Sequence, residues 1–75
     1  KATIINPDFA EAHFNLAGTL HDLQQLEESV SSYKASISYE PDYAEAHNNL
    51  GNVYKELGDL EDAANSYESA IIIKK

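Results

Sequence analysis

The chain of 75 residues carries 13 Asp and Glu against 5 Lys, for a net charge of −8, and it has no Cys. That balance excludes a phosphate-neutralising nucleic-acid binder and a ligand of anionic membrane surfaces, and leaves a neutral or basic protein the easier partner. No disulfide or thiolate metal site can form, and a chain this short buries only one modest core. The bland reading of the acidic surplus is a helical surface kept soluble.

The opening stretch, KATIINPDF, has no signal-peptide layout and reads as a cut inside a longer chain. Pro7 bars a helix from running through, and Asp8 with Glu11 three residues on reads as the capping box of a first helix. Ala12, Leu16, Thr19, Leu20 and Leu23 fall on one face of that helix. A second stripe follows at Leu26, Val30, Tyr33 and Ile37. Pro41, Asp42 and Glu45 repeat the entry device, ahead of a third stripe at Ala46, Leu50, Val53, Tyr54 and Leu57. Gly58 stops that helix, and Asp59 with Asp62 opens a fourth, with Leu60, Ala63, Ala64, Tyr67, Ala70 and Ile71 as its apolar positions. The run Ile71-Ile72-Ile73 is far short of the roughly 20 apolar residues that a membrane helix needs. No segment alternates with period two, so the fold class expected is all-α.

The chain states its plan twice. NPDFAEAHFNLAG begins at Asn6, and EPDYAEAHNNLGN begins at Glu40. Aligning 7–40 with 41–74 gives 14 identities over 34 positions: Pro and Asp, Ala-Glu-Ala-His, Asn-Leu, Leu, Leu-Glu, Ser-Tyr and Ile. A period of this length is the mark of a helical-repeat solenoid, each unit being one helix hairpin. The expected domain is single, 1–75, with a first repeat over 7–40 and a second over 41–75. Residues 1–6 read as the end of a preceding repeat, since Ala2, Ile4 and Ile5 match Ala70, Ile72 and Ile73. Ala46, Gly51, Ala63 and Ala70 are expected where helices cross closely. Ser29 holds the place of Ala63, so Ser29→Ala is expected to be neutral or stabilising if its hydroxyl is unbonded. Gln24 stands where Gly58 stands. If that turn is left-handed, Gln there costs about 1 kcal/mol relative to Gly.

The second unit, His47-x-x-Leu50-Gly51-x-x-Tyr54 followed by Ala63-x-x-x-Tyr67, resembles the tetratricopeptide repeat (TPR). The departures are mild: His13 and His47 replace a bulky aromatic, Ala17, Ser29 and Ser36 stay small, and Lys75 stands where a closing Pro would be. The wording AHNNLGNVY is also similar to the TPR arrays of O-GlcNAc transferases. The resemblance implies a protein–protein interaction module, or the substrate-recruiting part of a glycosyltransferase. It implies a concave groove lined by the first helix of each repeat. Carried over, the wall is Glu11, Phe14, Asn15, Gly18, His21 and Asp22, then Glu45, Asn48, Asn49, Asn52, Lys55 and Glu56. Asn15 and Asn49, one repeat apart, would form an amide ladder able to bridge the N–H and C=O of an extended peptide. The alternative is that these Asn brace neighbouring helices. A carboxylate clamp for acidic chaperone tails would need Lys where Phe14 and Asn48 stand, which argues against that ligand class.

His13, His21 and His47 invite a metal reading. No carboxylate stands at ligand spacing beside both His13 and His47, and packing histidines are the expectation. There is no Gly-rich phosphate loop and no Ser/His/Asp arrangement, so neither enzyme activity nor a cofactor is expected. A repeat cannot bury its apolar face alone. Head-to-tail self-association is therefore expected at high concentration, with the 60–73 helix of one chain meeting 9–23 of another.

Overall fold

The computed structural model describes residues 7–74, and the reading of residues 1–6 as the end of a preceding repeat lies outside them. Four helices follow one another: α1 (Pro7–Asp22), α2 (Leu26–Tyr39), α3 (Ala44–Leu57) and α4 (Leu60–Lys74). α1 pairs with α2 and α3 with α4 as hairpins, and α2 packs on α3. α1 and α3 scarcely touch. The Cα trace measures 36 × 26 × 13 Å, a slab about as thick as one helix with its side chains. The four helices and this order are the all-α hairpin repeat that the 34-residue period implies.

The turns explain the hairpins. Gly58 ends α3 at φ 86°, its N–H donating to the Lys55 carbonyl and the Asp59 N–H to the Tyr54 carbonyl. Gln24 ends α1 in the same way. Its φ is 65°, its N–H donates to the His21 carbonyl, and the Gln25 N–H donates to Leu20. Both are Schellman closures, and only Gly58 is the residue that suits the left-handed backbone.

The capping box at Asp42 does not form. α3 begins at Ala44 with Tyr43 as its N-cap residue, and no side chain caps it. The reason lies in Pro41. Glu40 to Tyr43 closes as a turn, the Tyr43 N–H donating to the Glu40 carbonyl at 3.1 Å, and this puts Asp42 one residue too early. His47 reaches back instead, its Nε2–H donating to the Pro41 carbonyl at 3.1 Å. In the first repeat α1 already includes Pro7 and Asp8, so Asp8 stands inside the helix rather than ahead of it.

Ala17, Tyr33, Ala46, Leu50 and Val53 form the buried core, with Phe14, Leu26, Val30, Ile37, Tyr43, Tyr54 and Leu57 packed around it. Close crossings fall where small residues were expected: Ala46, Ala63 and Ala70 are buried. A Cβ on Gly51 would lie 2.8 Å from the Tyr67 ring. Ser29 and Ser36 are wholly buried, and each donates at 2.8 Å to a carbonyl of α1, Ser29 to Ala17 and Ser36 to Ala10. The condition on which Ser29→Ala would be harmless therefore fails.

Two stripes expected in the core are open in part. Ala12, Leu16 and Thr19 of α1 and Leu23 in the turn after it are exposed, as are Leu60, Ala64 and Ile71 of α4. Their counterparts one repeat away, Ala46, Leu50 and Val53 on α3, are buried. The pattern along the helix is the same, and the difference is the neighbour: α3 has α2 against it, and no described helix stands in that place against α1.

Candidate groove on the α1–α3 face

Helical spacing puts Phe14, Asn15, Gly18, His21 and Asp22 on one side of α1, and Glu45, Asn48, Asn49 and Asn52 on the matching side of α3. These sides border two adjoining concavities. The smaller, about 410 Å³, is bordered by Phe14, Asn15, Gly18, His21 and Asp22, with Thr19, Tyr33 and Asn49. The larger, about 780 Å³, lies toward α4, between Phe14, Ala44, Glu45, Asn48 and Asn49 on one side and Ala70, Ile71 and Lys74 on the other. Phe14 and Asn49 belong to both.

Phe14 is fixed by aromatic contacts. Its ring stacks on Tyr43 at 4.8 Å between centroids and meets Tyr33 edge-on at 5.8 Å. It thus forms an apolar ridge between the two hollows while packing on the core. Burial pushes the Tyr33 hydroxyl above its ordinary pKa; a hydrogen bond with Asn49 works against this, and the Asp22 carboxylate adds to the rise. Burial also raises Tyr43, with Glu11, Glu45 and Glu40 adding to it. Asn49 is therefore half brace and half groove wall, while Asn15 is exposed.

His21 and Glu56 join the two first helices. The His21 Nε2–H donates to Glu56 Oε2 at 2.8 Å across 35 residues of sequence. Asn52 is turned toward α4, where its Oδ1 accepts the Tyr67 hydroxyl. Glu11 and Lys55 are exposed on the outer parts of α1 and α3 and border neither hollow. His13 stacks on Tyr39 at 5.6 Å, a packing role like that of His47 in its turn.

The contribution of α4 escaped the sequence reading, which gave the groove to first helices alone. The signal was the hairpin itself. A 15-residue α4 antiparallel to α3 brings its last turn beside the first turn of α3, so Ala70, Ile71 and Lys74 face Ala44, Glu45 and Asn48.

Family comparison agrees with this geometry. A family model described as TPR repeat matches residues 17–58, and a second, tetratricopeptide repeat, matches residues 44–75. Repeats of this kind generally mediate protein–protein interaction and are typically non-catalytic. No curated protein matches the chain. With more than half of its length matched by one family model, and two helix hairpins in the order that the period requires, the chain belongs to the tetratricopeptide repeat family.

Proposed function

We propose that this domain holds an extended segment of another protein in the trough between α1 and α3. The observation that carries the reading is that Phe14 and Asn49 border both hollows, which makes one continuous trough across the two repeats. Phe14 and Ile71 offer apolar contact, and Asn15, Asn48 and Asn49 offer donors and acceptors that need no particular side chain. Charge sets the preference. Asp22 and Glu45 border the trough against Lys74 alone, and the chain carries −8 overall, so the segment is neutral or basic.

Selection of peptides from a random library against the chain tests this. Neutral and basic sequences should be enriched, and acidic ones should not. Asn15→Ala should then weaken the selected peptide by roughly 0.5–1.5 kcal/mol, with helicity unchanged. Asn15 is the cleaner probe, because Asn49→Ala also changes the surroundings of the buried Tyr33 hydroxyl. Unchanged affinity in Asn15→Ala together with Asn49→Ala would move the binding face elsewhere. Recruitment of substrates for a glycosyltransferase, the role implied by the wording shared with O-GlcNAc transferase arrays, is a special case of this reading and predicts the same dependence on the amides.

A further inference from the structure

The two repeats treat the same tyrosine differently. Tyr33 and Tyr67 are one 34-residue period apart, and so are Gly18 and Asn52. In the second repeat the Oδ1 of Asn52 accepts the Tyr67 hydroxyl. In the first repeat Gly18 has no side chain to make that bond, and a Cβ there would meet only the Tyr33 hydroxyl, at 3.9 Å. Tyr33 is 2% exposed, yet it borders the smaller hollow together with Gly18. The hollow is thus the counterpart of the place that the Asn52 side chain fills, and a hydroxyl lies at its floor.

The rest of the wall decides what enters. The His21 ring is committed to Glu56, and the Thr19 hydroxyl donates to the Asn15 carbonyl of its own helix. Asn15 and Asn49 bring amides to the border, and Asp22 brings a carboxylate close enough to act on the Tyr33 hydroxyl. Among the described residues no Lys borders this hollow. Thr19, His21 and Asp22 belong to the last turn of α1, where the helix dipole favours a cation.

We propose that the hollow over Gly18 takes the guanidinium of an arginine in the bound segment, a proposal that rests on the trough reading above and names its anchor. A planar fork of N–H donors meets several separated acceptors at once and lies well against an aromatic ring such as Phe14, whereas an ammonium is a point charge. The Tyr33 oxygen accepts at the floor, Asn15 and Asn49 accept through Oδ1, and Asp22 supplies the opposite charge at the rim. The second repeat has no such subsite, because Asn52 already occupies it. One arginine, rather than a row of them, therefore sets where the segment sits.

NMR titration of the full 75-residue chain with Nα-acetyl-arginine amide, and separately with Nα-acetyl-lysine amide, tests the hollow without any peptide. The Gly18 N–H and the side-chain amides of Asn15 and Asn49 should shift and saturate with the arginine compound. The lysine compound should bind about tenfold or more weakly. Gly18→Asn copies the second repeat and has room for its Cβ, so it should keep the helical circular dichroism of the parent and abolish these shifts. Asp22→Asn, at an exposed position, should weaken the arginine compound about tenfold. Equal binding of the two compounds would overturn the proposal, as would an absence of shifts at Gly18, or arginine binding unaltered in both variants. The peptide selection separates this outcome from failure of the trough. Selected peptides that depend on Asn15 but carry no arginine at a fixed position would leave the trough standing and sink the arginine subsite. If no peptide is selected while the arginine compound still binds at Gly18, the trough reading fails and the guanidinium site stands.

Discussion

Tyr67 lies flat against Gly51, so close that a Cβ there would sit 2.8 Å from the ring, while its hydroxyl donates to Asn52. The first repeat solves the same contact with the small residue moved by one. Ala17 stands in place of Gly51 and Gly18 in place of Asn52, and a Cβ on Gly18 would meet only the Tyr33 hydroxyl, at 3.9 Å. Gly51→Ala should therefore overpack. The clash costs roughly 1–3 kcal/mol, against a helix-propensity gain of about 1 kcal/mol. The expected net effect is a lower melting temperature. Adding Asn52→Gly copies the Ala-Gly pair of the first repeat, frees the ring to move, and should recover most of the loss. A double variant no better than the single one would show that Tyr67 is not what confines Gly51.

Ser29 and Ala63 occupy the same place in their repeats, and they should respond differently. Ser29→Ala removes a buried bond to the Ala17 carbonyl and should cost roughly 0.5–1.5 kcal/mol in a denaturant titration. Ala63→Leu forces a larger side chain into a site that is 3% exposed and should cost roughly 1–3 kcal/mol. A more stable Ser29→Ala would mean that the hydroxyl contributes nothing.

At the two left-handed turns, Gln24→Gly should stabilise the chain by up to about 1 kcal/mol, and Gly58→Ala should destabilise it by about that amount. Nothing lies within 4 Å of a Cβ built at Gly58, so its loss is backbone strain alone. Melting curves of the two variants, which should shift in opposite directions, check this.

Tyr33 and Tyr43 hold their protons more tightly in the folded chain than in the unfolded one, chiefly through burial. Their contribution to stability is thus present below the unfolded tyrosine value of about 10 and is lost as pH climbs through the raised values. In the tyrosinate absorbance curve, Tyr33→Phe and Tyr43→Phe should each remove a phenol that titrates above the ordinary tyrosine range. Tyr33→Phe should flatten the loss of stability at high pH, and an unchanged profile would exclude Tyr33 as its source.

The hairpins and the strained turn at Gln24 were legible because they depend on local spacing and on one residue's backbone range. The missing cap at Asp42 was not, since the Pro41 turn sets the helix start by its own geometry. The α1 and α3 stripes read alike, because periodicity records which face is apolar and not what lies against it. Leu16 and Leu50 differ only in their neighbour. Ile71 and Lys74 joined the groove for a reason of the same kind, since an antiparallel partner brings together residues far apart in sequence.

α2 forms the spine of the molecule, and α1 and α3 meet across the trough chiefly through His21 and Glu56. Spreading the trough works against the stack of Phe14 on Tyr43. It also works against the partly exposed hydrogen bond from His21 to Glu56 and against the sliding of α2 over α3, a shear that packed helices accommodate in small steps. The width of the trough is therefore its compliant dimension, and the rise along each helix is its stiff one. A segment held there as proposed would meet a channel that adapts to the bulk of side chains and resists changes in their spacing along the backbone. Discrimination should accordingly rest on the register of the segment more than on the girth of its residues.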